Sequence, residues 1–384
     1  MPRCVMTRKL YDENAYLTQF SATVLSCMPV EDGFAVVLDQ TAFFPEGGGQ
    51  EADCGKLAGQ DVLDVQIADG IVRHYVGKPL VVGERVEGLL NWEIRLSRMR
   101  QHTGEHILSG VVHEMTGYDN VGFHMGSEGI TVDFSGVLTE EQLCTAVATA
   151  NRIVMENRPV KAWYPTENEL KKLSYRSKKE ISDALRLVEI EGTDLCACCA
   201  PHLSTTGQVG TIVVLQTEKI HGGSRILFRC GKEAQEYTTQ ILAESKKVSA
   251  MLSAKPTEIS DAVARMSQEL SNLKLRESVV QKEWYRTLAE LYRGKGNVLL
   301  FPTCGDTSKM ALAVAETCGG TCGVFLSKEE GYSYAVAEKN GNLQTLSKTL
   351  HGVLGGKGGG RGELVQGYIT ASKKDIQEFW EKNI

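Results

Sequence analysis

Short apolar runs of strand-like content open the chain. Between residues 22 and 90 they include Phe34-Ala-Val-Val-Leu38, Val62-Leu-Asp-Val-Gln-Ile67 and Ile71-Val-Arg-His-Tyr-Val76, broken by Asp-Gly pairs and glycine clusters. β-Branched and aromatic side chains fit a pleated surface and the glycines supply turns, so residues 1–90 predict a small β-barrel or sheet. The period then changes. Ile94, Met99, His102, His106, Ile107 and Val111 fall on helical spacing, with Gly117 as the stop, which puts two histidines on one helix. A strand at 130–134, a helix from Thr139 as its cap to residue 156, a strand at 185–190 and two strands around 219–224 complete an α+β unit over 91–232.

Past Lys232 the glycines thin out and helix formers dominate, with Pro256 dividing two helical patterns. In the second, Ile259, Val263, Met266, Leu270 and Leu273 keep four-three spacing, and Val280, Trp284 and Leu291 roughly continue it. Residues 233–295 therefore predict a helical hairpin or short coiled coil. Residues 296–384 return to strands near Val298, Gly323 and Tyr334, with a helix over 308–316, a glycine-rich loop at 355–362 and a terminal helix, a C-terminal α/β domain. The fold class expected is α+β and multidomain.

Composition narrows the partners. A 384-residue chain with 42% hydrophobic residues can bury the cores of two to four domains. Its net charge of −6 argues against nucleic-acid binding by bulk electrostatics, because counterion release needs many phosphate-facing Lys and Arg. RNA contact would have to use local basic patches, of which the run from Lys171 to Lys179 is the densest; such a run is as readily a solvated face. No apolar stretch approaches the roughly 18 residues of a membrane span, and the start of the chain lacks a signal-like run, so a cytoplasmic protein without membrane partners is expected. In that compartment the eleven cysteines read as reduced thiols or metal ligands.

The strongest local signal is His102-Thr-Gly-Glu-His106. Residues i and i+4 share a helix face, so two imidazoles can reach one ion from a rigid element. The zinc-protease motif has the same spacing but places Glu directly after the first His; Thr103 stands there instead, which disfavours a metalloprotease. Cys198-Cys-Ala-Pro-His202 supplies a second pair, 92 residues after His106, and Cys and His together suit Zn2+. Cys196 and Cys199 are rival ligands through their CxxC spacing. A site assembled over such a distance serves chemistry more often than scaffolding, and zinc that merely pins strand to helix is the alternative.

These motifs resemble a known family. HTGEHIL at His102 is similar to the HTAxHLL motif of the alanyl-tRNA synthetase editing domain, and DLCACCAPHLSTTGQVG at Asp194 to its ELCGGTHVxxTGEIG. Upstream, LDQTAFFPEGGGQEADCG from Leu38 resembles DxTxFYPEGGGQxxDxG, and GGKGGGRGELVQG from Gly355 resembles the GGRGGGRPxxAQGG of the C-terminal DHH-associated domain. Four motifs in one order cover nearly the whole chain, and nothing in it resembles a class II catalytic domain, which points to the free-standing alanyl-tRNA editing proteins, the AlaX family, in their long form. Two departures stand out: Cys-Ala-Pro fills the loop where the family has Gly-Gly-Thr, and His124 replaces a Gln before Gly126-Ser127.

The resemblance implies Zn2+ held by His102, His106, Cys198 and His202 and a translation-fidelity role, the hydrolysis in trans of mischarged Ser-tRNA(Ala), with Gly-tRNA(Ala) second. A pocket built for alanine cannot strongly reject glycine or an added hydroxyl, whereas a second site that hydrogen-bonds the serine hydroxyl can invert the preference. Thr41 and Gln50 are the candidates to line that site, Arg98 and Arg100 to meet the acceptor end, and His124 to act as a metal-proximal group, a proton carrier or packing. Lys357 and Arg361 are candidate tRNA contacts in the glycine-rich loop, which is otherwise a tight turn. A homodimer would form through the helical or C-terminal region. The competing reading is a non-catalytic tRNA-binding protein with a structural zinc.

Overall fold

The computed structural model describes residues 6–126, 128–177 and 185–384. Ser127, the end of the basic run at Lys178 and Lys179, and the first five residues lie outside them. The chain divides into two units, residues 1–246 and 247–384, in an α+β architecture of several sheets and long helices.

The first unit opens with β1 (Arg8–Lys9), α1 (Leu10–Glu13), β2 (Gln19–Val30), β3 (Gly33–Leu38), β4 (Gln40–Thr41), β5 (Gly55–Leu57), β6 (Gln60–Ala68), β7 (Ile71–Val76) and β8 (Arg85–Leu90). The ladder runs β2-β3-β7-β6-β5-β8, and β8 returns to β2 through Leu89 opposite Gln19, so the six strands close on themselves. Alternate residues of β7 and β8 are buried, as a half-buried pleat requires, and Val36, Leu38, Val65, Val72 and Val76 fill the interior. β1 pairs in parallel with β4 outside this ring.

Helix α2 (Trp92–Thr116) follows, capped by the Asn91 side chain accepting from Ile94 N–H and ended by Gly117 in the left-handed region at φ 73°. Its start lies two residues before the periodic apolar pattern, because Asn91 supplies the cap. From Gln101 to Val112 every residue is buried, so this helix threads the core rather than covering it. Ile107, Leu108, Val111 and Val112 are at most 2% exposed, and burying each contributes about 1.5–3 kcal/mol. Around it lie β9 (Asn120–Gly126), β10 (Gly129–Phe134), α3 (Glu140–Glu156), β11 (Val160–Trp163), α4 (Glu167–Leu170), β12 (Leu187–Ile190), β13 (Asp194–Ala197), β14 (Ile212–Ile220), β15 (Gly223–Cys230) and α5 (Gly231–Leu252). One sheet has the order β14-β15-β10-β9 and the other β11-β12-β13, all antiparallel. A Thr139–Gln142 capping box starts α3.

The second unit holds α6 (Ile259–Leu291), β16 (Val298–Leu300), α7 (Thr307–Cys318), β17 (Thr321–Lys328), β18 (Gly331–Glu338), α8 (Gln344–Leu354), β19 (Lys357–Arg361), β20 (Leu364–Ile369) and α9 (Lys373–Asn383). Its sheet runs β16-β17-β18-β20-β19 with one parallel pair, β16 and β17. One face packs on α6 and α7 through Tyr285, Met310, Val314, Val324 and Ala335; the other packs on α8 and α9 through Phe325, Tyr334, Leu350, Phe379 and Trp380. The expected glycine-rich loop is largely an edge strand: Lys357–Arg361 pairs antiparallel with β20, and that nonlocal ladder overrides the poor strand propensity of three consecutive glycines. Along α6 the positions Val263, Met266, Leu270, Leu273 and Val280 are exposed.

Candidate metal centre

His102 and His106 lie one turn apart on α2, and the loop after β13 brings Cys198 and His202 to the same face. One ligand atom from each of the four residues lies within 4.8 Å of those of the others. His102, His106 and His202 are buried and Cys198 is half-buried. Cys198 Sγ is 3.5 Å from His102 Nε2 and 3.3 Å from His202 Nε2. Metal–nitrogen bonds of about 2.05 Å and metal–sulfur bonds of about 2.3 Å at tetrahedral angles put nitrogen and sulfur about 3.5 Å apart, so these side chains fit a tetrahedral ion of the zinc type.

The other ring nitrogens show why the donors converge. His106 Nδ1 donates to Asp194 Oδ2 at 3.0 Å, His202 Nδ1 to Thr103 Oγ1 at 3.0 Å and His102 Nδ1 to Gln50 Oε1 at 2.9 Å. Asp194 can only accept and so fixes the tautomer of His106; with Nε2 turned to the cluster, His102 and His202 likewise present Nδ1–H to Gln50 and Thr103. Asp194 is fixed in turn by two bonds from Arg176, at 2.8 and 2.9 Å. Burial pushes its carboxyl up, but the hydrogen bonds from His106 and Arg176 outweigh this and hold it below the usual carboxylate range. Asp194 comes this close to α2 because Gly110 has no side chain: a Cβ there would sit 2.7 Å from Thr193 O and 2.9 Å from Asp194 Cβ. Thr103, which occupies the place of a protease base, is a hydrogen-bond support for His202 and also accepts from Leu203 N–H.

Gln50 arrives by a tight turn. Gly47 and Gln50 exchange both backbone hydrogen bonds at 3.0 Å, and Gly48 and Gly49 between them have φ of 62° and 82°, the two positive values that this two-residue hairpin turn demands. The turn leans on Phe123, whose ring packs 4.8 Å from that of His102. Helix α2 is tied to this N-terminal segment by Arg95, which donates to both Asp53 carboxylate oxygens and to the carbonyls of Ala15 and Ala42. The ligand loop is clamped by Arg186, whose guanidinium donates to the Cys198 and Ala200 carbonyls and faces Asp12 at 3.5 Å.

The remaining sequence candidates fall in different surroundings. Thr41 is fully buried, its hydroxyl 2.8 Å from His74 Nε2 and 3.1 Å from the Phe43 amide. His124 is exposed, and strand alternation in β9 turns it to the face opposite Phe123 and His102. Arg98 is engaged by the Ala52 carbonyl and Glu51, and Arg100 donates to the Gln208 carbonyl; both line a groove of about 760 Å3 that is shared by Arg229, Lys232, Glu233 and Glu236. Arg176 leaves the basic run to serve Asp194. Lys357 and Arg361 are exposed at the two ends of β19 in the second unit. Of the rival thiols, Cys196 forms a buried group with His106 and Asp194, where the Arg176 guanidinium opposes a cation, while Cys199 is exposed beside the Gly47–Gly48 turn. The supporting roles of Asp194, Arg176, Thr103 and Arg186 escaped the sequence reading. The Gly110 that admits Asp194 to the helix is their one indirect signal.

Residues 185–226 match the family model described as the threonyl and alanyl tRNA synthetase second additional domain. The chain is 32% identical to the alanine–tRNA ligase of Thermofilum pendens, covering 96% of this chain and 43% of that protein. It is 32% identical to the alanine–tRNA ligase of Pyrococcus abyssi (98% and 43%) and 33% identical to that of Thermococcus kodakarensis (94% and 42%). The chain thus spans about two fifths of the length of these relatives, and it is homologous to that part of the alanine–tRNA ligases.

Proposed function

We propose that this chain is an editing hydrolase that deacylates mischarged Ser-tRNA(Ala), and Gly-tRNA(Ala) second, in the manner of the free-standing alanyl-tRNA editing proteins of the long AlaX type. The observation that carries this reading is the cluster of three imidazoles and one thiol, each imidazole locked through Nδ1 so that Nε2 faces inward. Homology to a part of the alanine–tRNA ligases directs it to an aminoacyl ester on tRNA. His102, His106, Cys198 and His202 would hold Zn2+, which when bound supplies Lewis acidity toward a carbonyl oxygen or a water. Asp194, Thr103 and Gln50 orient the ligands, while the buried surroundings limit competing water. Thr41, Arg98 and Arg100 are the substrate-side candidates for the first unit, His124 is its candidate proton carrier, and Lys357 and Arg361 are the tRNA-side candidates for the second.

One feature of the cluster favours the alternative of a tRNA-binding protein with a structural zinc: four protein donors complete a tetrahedron, whereas catalytic zinc keeps a position open. Deacylation by the purified protein decides between them. The editing reading expects Ser-tRNA(Ala) to be hydrolysed much faster than Ala-tRNA(Ala), with about one zinc per chain that is lost when His102 and His106 are both changed to alanine. Equal rates on the two substrates refute editing. Zinc-replete protein inert toward both supports the structural reading.

A further inference from the structure

Gln50 Nε2 is a buried donor without an acceptor among the described residues, on a side chain that is 1% exposed. Its setting makes this more than a packing accident. The Gly48–Gly49 turn fixes the backbone of Gln50, and the bond from His102 Nδ1 to Oε1 fixes the amide plane. The amide cannot be reversed: His102 keeps Nε2 toward the cluster, so its Nδ1 carries the hydrogen and must meet an oxygen. The NH2 group is what remains, held beside His102 and short of a partner.

Resting on the hydrolytic reading above, we infer that Gln50 is a catalytic residue whose Nε2–H donates to the carbonyl oxygen of the aminoacyl ester. In the reaction a water oxygen bonds to the carbonyl carbon while the C=O π pair moves onto the oxygen that faces Gln50. The pair then returns, the bond from carbon to the ribose oxygen breaks, and the proton released by water ends on that ribose oxygen. The products are the free amino acid and the tRNA hydroxyl. The oxygen facing Gln50 is most negative midway, so a fixed donor there favours the transition state over the ester. A group reading the serine hydroxyl would favour serine alone, whereas a donor to the carbonyl serves every aminoacyl ester. That difference makes the two roles separable.

Gln50→Glu keeps an oxygen for His102 Nδ1 and removes the N–H; Gln50→Met removes both. With zinc per chain measured throughout, Gln50→Glu is expected to retain wild-type zinc while kcat falls about 10²–10³-fold on Ser-tRNA(Ala) and Gly-tRNA(Ala) alike, with KM within about threefold. Affinity for a phosphonate analogue of seryl-adenosine, which carries a tetrahedral anionic centre, should fall by a comparable factor. A kcat within about threefold of wild type overturns the inference. So does a loss confined to Ser-tRNA(Ala), which would make Gln50 a reader of the hydroxyl, or a rate loss that tracks zinc loss, which would make it only a support for His102. A wild-type protein inert toward both substrates overturns the hydrolytic reading itself, and the inference with it.

Discussion

Changing Asp53 to alanine tests how helix α2 is seated. Arg95 and Asp53 are 1% and 2% exposed, and the guanidinium spends three of its bonds on this carboxylate. Asp53 also accepts from the Phe44 amide at 2.6 Å. Removing it strands a buried cation with only the Ala15 and Ala42 carbonyls and leaves a buried N–H unpaired. Breaking one partner of such a pair costs about 3–5 kcal/mol, mostly because the remaining charge stays desolvated. Arg95 sits two helical turns before His102, and Asp53 three residues after Gln50, so the pair holds both sides of the His102–Gln50 contact.

The expected result is a loss of amide-exchange protection over residues 99–112, read by mass spectrometry. At about 1.4 kcal/mol per decade, 3–5 kcal/mol corresponds to roughly two to four orders of magnitude. Replacing both partners by Leu and Met, which removes the charge along with its partner, should restore most of that protection, because an apolar pair of similar volume is often neutral or stabilising. A protection change below about tenfold in Asp53→Ala, or a double variant as damaged as the single, would refute the reasoning.

Two other perturbations bear on the same unit. Burial holds the His74 imidazole down to a pKa of about 4, opposed by its bond to the Val36 carbonyl, against 6.5 when unperturbed; between these values the unfolded chain binds the extra proton, so stability is full above about pH 6.5 and falls toward pH 4 by up to about 3 kcal/mol. His74→Gln should abolish that component, so the stability difference between the two proteins must change across this window in chemical denaturation, and parallel curves would contradict it. Asp194→Ala frees the His106 ring and should weaken zinc binding about 10–100-fold in chelator competition, with unchanged affinity as the contrary result.

The sequence exposes features that depend on local spacing and hides those that depend on what lies across a ladder. Gly117 as a helix stop and Thr139 as a cap are local signals, and both stand at the ends of helices in the fold. The i, i+4 pair on α2 and the Cys198–His202 pair are local too, which is why the cluster is legible in the sequence. His124 differs from Phe123 by one position, and a period of two sends neighbours to opposite faces, so only the strand register decides which of them meets His102. The Thr41 hydroxyl meets a histidine 33 residues away on β7, a partner that no local spacing announces. Lys357–Arg361 has the composition of a loop and becomes a strand because β20 lies beside it.

The departures at Cys199, Ala200 and Pro201 can be understood in the same terms. The loop between the two ligands is held mainly through its backbone, by Arg186 donating to the Cys198 and Ala200 carbonyls and by the Cys198 amide donating to the Arg186 carbonyl. Carbonyls and amides are present whatever side chains the loop carries, so this clamp survives substitution. What the side chains decide is packing: Ala200 is fully buried against Tyr11 and Phe44, where its methyl group fills space that a glycine would leave open. Cys199 points instead to the Gly47–Gly48 turn that carries Gln50, where its side chain faces two residues that have none. The loop can therefore depart from the family pattern at three consecutive positions while Cys198 and His202 still converge with His102 and His106, because the geometry of the donors is set by Arg186, Thr103 and Asp194 rather than by the residues between the ligands.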